Sequence, residues 1–174
     1  MERRTFVSFT LQDYAGLKSF IFFIENFTHE DMADIGGAGY EDNIKRVMTD
    51  KYDVFDPIYD KDFDICQLTL PRQYKTIICM DTLEHLYDPI SASKNIINSL
   101  KSDGFLFITC PFLYHQHDYE GVPDYYRYTD TGLKHLFKDL DLVKVWYSED
   151  IMDQLYSHQP INKFNRLNYI GYKK

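Results

Sequence analysis

The sequence predicts an α/β fold, a mostly parallel sheet with helices on both faces, folded as one domain over residues 1–174. Three observations carry this expectation. Short runs of apolar, β-favouring residues alternate with segments of helical periodicity, the pattern of β-α units joined by right-handed crossovers. The clearest run, Lys75–Met80, is continuously apolar rather than alternating, as in a strand covered on both faces. A glycine turn, Gly36–Gly39, follows the first run, and an acid, Asp56, ends the second.

Along the chain, residues 1–30 form an N-terminal helical segment. Leu11, Tyr14, Ala15, Leu17, Phe20, Ile21 and Ile24 recur at helical spacing over 11–27, with Thr10 and Asp13 as a capping pair. Met32–Ile35 is the first strand. A short helix is expected over 41–48, and Tyr52–Asp56 is the second strand, stopped by Pro57. Phe63–Cys66 is expected to be the third strand and 75–80 the fourth. Asp88 as N-cap, Pro89 at the first helical position and Gly104 beyond the end predict a helix over 89–101. Phe105–Thr109 is the fifth strand. An irregular loop over 112–128 leads to a helix over 130–140, capped by Thr129 and buried through Leu133, Leu136, Phe137 and Leu140. Leu142–Tyr147 and Leu167–Tyr172 complete the strands.

Composition narrows the function. The 44 % hydrophobic and 17 % aromatic content excludes a disordered chain. A net charge of −8 works against a nucleic-acid partner, which needs a clustered basic face. The most apolar run, Phe20–Ile24, is too short to cross a bilayer, and the N-terminus lacks a signal-peptide pattern. Cys66, Cys79 and Cys110 lie in apolar runs without CxxC spacing, which predicts buried thiols and a cytoplasmic protein.

In such a sheet the chemistry belongs at the carboxyl ends of the strands. Gly36, Gly37 and Gly39 allow a backbone to turn sharply beside a ligand. Asp56 follows Asp34 at about the separation, some 20 residues, at which an acid meets ribose hydroxyls. The glycine turn and the acid together point to a nucleotide. Asp81–Pro89 follows the fourth strand.

The run Lys75–Pro89, with its strand followed by Leu83-Glu84-His85 and Asp88-Pro89, resembles class I S-adenosylmethionine-dependent methyltransferases, in particular the type 11 branch. Gly104–Pro111 resembles that branch's fifth strand, and Pro123–Thr129 with Gly132-Leu133 its aromatic loop. The resemblance covers about residues 11–172 in element order and is most specific over 75–133. It implies a Rossmann-like three-layer sandwich with a mostly parallel sheet of seven strands, or fewer where elements are lost, and an antiparallel last strand. It also implies S-adenosyl-L-methionine as cofactor. On that resemblance Asp34, Gly36, Gly37, Ala38 and Gly39 match the first motif and hold the methionine part. Asp56 and Pro57 take the ribose, Asp64, Ile65 and Cys66 the adenine edge, and Met80, Asp81, Thr82 and His85 the wall after the fourth strand. The sequence departs from the pattern at Ala38 and Tyr40, where glycines are usual, and in having no room for a helix between Asp56 and the third strand.

Methyl transfer from a sulfonium needs alignment, exclusion of water and, for a hydroxyl acceptor, a base. His85, His115 and His117 are the expected bases. Tyr114, His117, Tyr125, Tyr126 and Arg127 are expected to wall the acceptor pocket, with Arg127 facing either an acidic acceptor group or Asp124. His115-x-His117-Asp118 has no second ligand cluster in the sequence, so no metal site is expected. The expected partner is a small-molecule acceptor, such as a sugar hydroxyl, with neither nucleic acid nor membrane, and the protein is expected to be a monomer or homodimer. Two other readings stay open: a non-catalytic methyltransferase-like binding module, and a nicotinamide-dependent oxidoreductase.

Overall fold

The computed structural model describes residues 15–27, 31–38, 51–118, 121–148 and 166–174. Its elements are α1 (Ala15–Asn26), β1 (Met32–Ile35), β2 (Tyr52–Phe55), β3 (Tyr74–Met80), α2 (Pro89–Asn98), β4 (Leu100–Pro111), α3 (Asp130–Leu136), β5 (Asp141–Ser148) and β6 (Arg166–Lys173), with a 3-10 turn at Leu83–His85 between β3 and α2. The strands form one sheet in the order β2-β1-β3-β4-β6-β5. β1 pairs in parallel with β2 and β3, and β3 pairs in parallel with β4. β6 runs antiparallel to both its neighbours, β4 and β5.

Among the described residues the sheet has six strands, the reduced form of the seven-stranded sheet expected. Phe63–Cys66 is not a strand: Asp64 caps a turn, its Oδ1 accepting from Cys66 N at 2.8 Å while its carbonyl accepts from Gln67 N and Leu68 N. A local carboxylate thus satisfies the backbone that a sheet edge would otherwise pair. The helix expected over 41–48, with Thr10 and Asp13, lies outside the described residues.

The two faces of the sheet divide by strand periodicity. Ile77 and Cys79 of β3, with Leu106 and Ile108 of β4, pack under α2 and α3 against Ala92, Ile96, Ile97 and Leu133. Ile78 and Phe107 point to the opposite face, where Phe20 and Phe23 of α1 cover them together with Met32 and Ile170. Phe23 stacks on Phe107 at 4.9 Å between ring centroids. This is the three-layer arrangement that the alternation of elements implies.

The helix starts follow their capping residues. Asp88 accepts from Ser91 N at 3.0 Å and Thr129 accepts from Gly132 N at 3.1 Å. The ends differ from expectation: α2 stops at Asn98, and α3 at Leu136. Gly104 is therefore not a helix cap but a residue within β4. A Cβ there would lie 2.7 Å from the Lys101 carbonyl and 3.0 Å from that of Lys75. The positive φ at this bend, 58°, falls on Asp103.

Asp31 anchors the start of β1. Its φ is 55°, its carbonyl accepts from Lys75 N, and its carboxylate meets Lys101 Nζ at 2.5 Å and the Arg72 guanidinium. Burial opposes its ionisation, but the hydrogen bonds from Lys101 and Arg72 outweigh this and hold the carboxyl below its usual value. A lowered folded-state pKa contributes stability above the unfolded value and loses it as pH falls through the folded one. Asparagine tolerates a positive φ, so Asp31→Asn isolates the charge. It is expected to cost about 1 kcal/mol near pH 7, given the half-exposed cations. Urea melts should show the gap to wild type closing as pH falls below about 4.

Candidate active site

β1 is the point where the strand order reverses, with β2 on one side and β3 on the other. A crevice outside the carboxyl ends of the strands is expected there. A cavity of about 480 Å³ occupies it, lined among others by Gly36, Asp56, Asp64, Asp81, Thr82 and His85. That volume lies in the range of small-molecule and cofactor sites.

The floor is the turn after β1. Gly36 has φ +79°, and a Cβ on it would lie 2.2 Å from Thr82 Oγ1. Only glycine lets the backbone pass this close to Thr82. Its N donates to the Phe55 carbonyl at 2.9 Å, tying the turn to the end of β2. Asp56 completes the tie: Oδ2 accepts from Ala38 N at 3.1 Å and Oδ1 from Ile58 N at 2.9 Å. Ala38 is not among the residues with positive φ, so its Cβ is accommodated where the family pattern has glycine.

The expected cofactor residues separate into those at the cavity and those behind it. Gly36, Asp56, Pro57, Asp64, Ile65, Cys66, Asp81, Thr82 and His85 line it. Asp34 does not: it is buried beneath the turn, accepts from Tyr52 Oη at 2.5 Å, and its Oδ2 fills the space a Cβ on Gly37 would need. Asp34 thus braces the glycine turn from below. Met80 packs with the α1 face, because it sits one residue out of phase with Cys79. Gly39 lies outside the described residues. The Asp64 carboxylate is engaged by Cys66 N, by Tyr87 Oη at 2.8 Å and by Gln67 Nε2 at 2.9 Å. Burial pushes the Cys66 thiol pKa up, which keeps it protonated. Asp81, at φ 48°, donates its N to the Thr109 carbonyl, accepts from Thr109 Oγ1 at 3.2 Å and pairs with Arg166.

Beside the cavity, the 3-10 turn and the 112–128 loop meet. Tyr125 N and Tyr126 N donate to the Glu84 carbonyl at 2.8 and 3.2 Å, and Tyr128 Oη donates to the Leu83 carbonyl at 3.1 Å. The loop thereby delivers His117 to His85, their rings edge to face at 5.1 Å. Both face Glu84 Oε1, at 3.8 Å from His85 Nε2 and 3.9 Å from His117 Nε2. The Glu84 side chain is fully buried, and neither of its carboxylate oxygens has a hydrogen-bond partner among the described residues. Burial first, and then the charge of Asp81, push its carboxyl pKa well above the usual value, against the pull of Arg166 and Arg127.

Arg127 settles on Asp124 rather than on the pocket. It makes two bonds to that carboxylate, at 2.5 and 2.6 Å, and two more to the Tyr126 and His115 carbonyls at 2.8 Å. These hydrogen bonds hold Asp124 well below the usual carboxylate range despite its burial. Arg127 is therefore a loop clamp, and the acidic-acceptor alternative loses its cation. His115 is exposed and stacks on Tyr114 at 4.3 Å. Its ring is not part of the Glu84 group. Tyr125 and Tyr126 are exposed, so they rim the site rather than wall it.

Sequence reasoning passed over Glu84 and Asp124 as functional groups. Glu84 lies inside the Leu83-Glu84-His85 run, where the resemblance gives it no role. Its signal is an acid in an otherwise apolar turn beside a histidine. In the sequence Asp124 offers itself as a partner of Arg127; in the structure it also faces His117.

No protein-family model and no curated protein matches the sequence. Solved structures do match in fold. An S-adenosylmethionine-dependent methyltransferase from Clostridium acetobutylicum aligns with TM-score 0.63 at 14 % identity, over 92 % of each chain. One from Mesorhizobium loti aligns with TM-score 0.60 at 11 % identity, over 82 % of this chain and 90 % of its own. Phosphoethanolamine N-methyltransferase 2 from Haemonchus contortus, solved with S-adenosyl-L-methionine, aligns with TM-score 0.61 at 12 % identity, over 92 % of this chain and 53 % of its own. The chain has the Rossmann-like fold of class I methyltransferases, with a reduced sheet.

Proposed function

We propose that this fold serves as an S-adenosylmethionine-dependent methyltransferase whose acceptor is a small molecule carrying a hydroxyl, such as a sugar or another metabolite. The observation that carries the reading is the cavity at the strand-order switch, where Gly36, Asp56 and Thr82 converge. The cofactor supplies a methyl group activated on a sulfonium. The residues present suit it: Gly36 leaves a cradle that a Cβ would fill, and the Asp56 carboxylate keeps lone pairs beyond those used by Ala38 and Ile58. Asp56 takes the ribose hydroxyls, and the apolar side of the cavity at Phe63 and Ile65 takes the adenine ring.

The chain's own contribution to catalysis is orientation and removal of a proton from the acceptor. His85 lines the cavity, and its Nδ1 lies 2.8 Å from the Pro123 carbonyl, an acceptor only. Nδ1 must therefore carry the hydrogen, which leaves the Nε2 lone pair as base. His117 stands behind it. His115, turned outward, has no such part. The antiparallel β6 inserted between β4 and β5 favours this reading over a nicotinamide enzyme, whose usual sheet is built from two parallel βαβαβ halves.

Titration calorimetry tests the reading. Wild type should bind S-adenosylhomocysteine, and Asp56→Asn, which keeps the shape of the carboxylate, should bind about 10- to 100-fold more weakly, the worth of hydrogen bonds to a charged group. Absence of heat with either S-adenosylmethionine or its demethylated product at millimolar concentration would reject the methyltransferase and leave a binding module. Among the described residues no helix is long and apolar enough to cross a membrane. The cytoplasm and an acceptor other than nucleic acid are part of this proposal, drawn from the buried thiols and the acidic charge.

A further inference from the structure

We infer that Glu84, His85 and His117 form a binding site for one divalent first-row transition-metal ion, of the zinc class, at the edge of the cavity. Among the described residues these three side chains each bring one donor atom to within 4.8 Å of the others. Two imidazoles and one carboxylate are a donor set that suits such ions and leaves coordination positions open for water or an oxygen of the acceptor.

Both histidines are held in the tautomer a metal requires. His85 Nδ1 lies 2.8 Å from the Pro123 carbonyl, so Nε2 carries the lone pair. His117 Nδ1 lies 3.1 Å from Asp124 Oδ2 and 3.4 Å from the His115 carbonyl, both acceptors, with Arg127 Nη2 also at 3.4 Å. The His115 carbonyl accepts with hydrogen-bond geometry, and the Asp124 carboxylate beside it favours a proton on Nδ1. His117 Nε2 then turns its lone pair toward Glu84. A carboxylate or carbonyl behind each ligating imidazole is the usual outer support of a metal site.

Glu84 makes the second, independent observation. It is fully buried, its oxygens have no hydrogen-bond partner among the described residues, and it faces the two Nε2 atoms. Burying a carboxylate without a donor is costly, whereas a cation between Glu84, His85 and His117 satisfies it. The Oε1–Nε2 distances of 3.8 and 3.9 Å exceed by about 0.5 Å the donor spacing of tetrahedral bonds of about 2.0–2.2 Å, and the two histidine donors lie within 4.8 Å of each other. Rotation about the side-chain torsions supplies that much. The sequence offered His117 no ligand partners because they lie more than thirty positions earlier, on a turn reached only through the loop contacts.

The inference stands apart from the cofactor reading and is tested without S-adenosylmethionine; with His85 Nε2 on the metal, a metal-bound hydroxide takes the acceptor proton in place of the free imidazole and becomes water. Tag-free protein is stripped with chelator, checked by circular dichroism and titrated with Co2+, then with Zn2+ as competitor. The expected result is visible d–d absorption saturating at one Co2+ per chain and displaced by one Zn2+. His117→Ala and Glu84→Gln should each weaken binding at least about 100-fold, and Asp124→Asn, which loosens both the support of His117 and the Arg127 clamp, about 10- to 100-fold. Should either ligand variant fold poorly, His85→Ala at the cavity rim still reports, with the same expected loss. Absence of stoichiometric binding by the wild type, or binding unchanged in the folded variants, would overturn the site. Calorimetry with S-adenosylhomocysteine on the same stripped protein reads the cofactor site separately.

Discussion

Gly36→Val is expected to reduce S-adenosylmethionine binding by more than about 100-fold and to lower the melting temperature by about 5–15 °C. Two physical terms combine. An L-residue at φ +79° costs about 1–2 kcal/mol. The added Cβ would also lie 2.2–2.9 Å from Oγ1, Cγ2 and Cβ of Thr82, which is too short a side chain to swing aside. Forced overpacking of this kind costs about 1–3 kcal/mol. For a chain of this length each kcal/mol shifts the melting temperature by about 2–4 °C. The affinity loss has a separate cause: Thr82 and the Gly36 turn both line the cavity, so any shift that relieves the clash deforms it. Gly36→Ala combined with Thr82→Ala should recover part of the stability but not the backbone term. Cofactor affinity unchanged in Gly36→Val, measured by calorimetry, would show that this cavity is not where the cofactor sits.

Phe107→Ala should produce the opposite separation: a large loss of stability with cofactor affinity preserved in the folded protein. Phe107 is fully buried on the α1 face, stacked on Phe23 at 4.9 Å and in contact with Phe20 and Trp146 at 6.0 and 6.5 Å. Truncating such a ring removes its transfer free energy and leaves a cavity, about 3–5 kcal/mol in all. The expected fall in melting temperature is about 6–20 °C. Calorimetry well below the transition should return the wild-type affinity, since Phe107 and the cavity lie on opposite sides of β4 and β3. A loss below about 1 kcal/mol would mean that α1 does not hold that face of the sheet closed.

The glycine turn and Asp56 were legible because their work is local. A positive φ after a strand, and an acid at the end of the next, are set by a few neighbouring residues and by β-α geometry. Asp88 and Thr129 were legible for the same reason, since a cap acts within three residues of itself. Asp34 and Met80 were misplaced because their roles depend on which face of the sheet they occupy. Asp34 accepts from Tyr52, a residue on the neighbouring strand, and Met80 differs from Cys79 by one step of the strand period. Phe63–Cys66 was misread as a strand because a short apolar run does not reveal that Asp64 will cap it into a turn.

The α/β class, the Rossmann-like order of elements and the glycine turn at Gly36 are written in adjacent residues, through periodicity, caps and turn chemistry. The six strands of the described sheet, the Arg127 clamp on Asp124 and the meeting of His117, rather than His115, with His85 and Glu84 emerge in three dimensions. Those outcomes rest on contacts between segments far apart in the chain, and on the burial of a charge that becomes visible only when the loop closes over the turn.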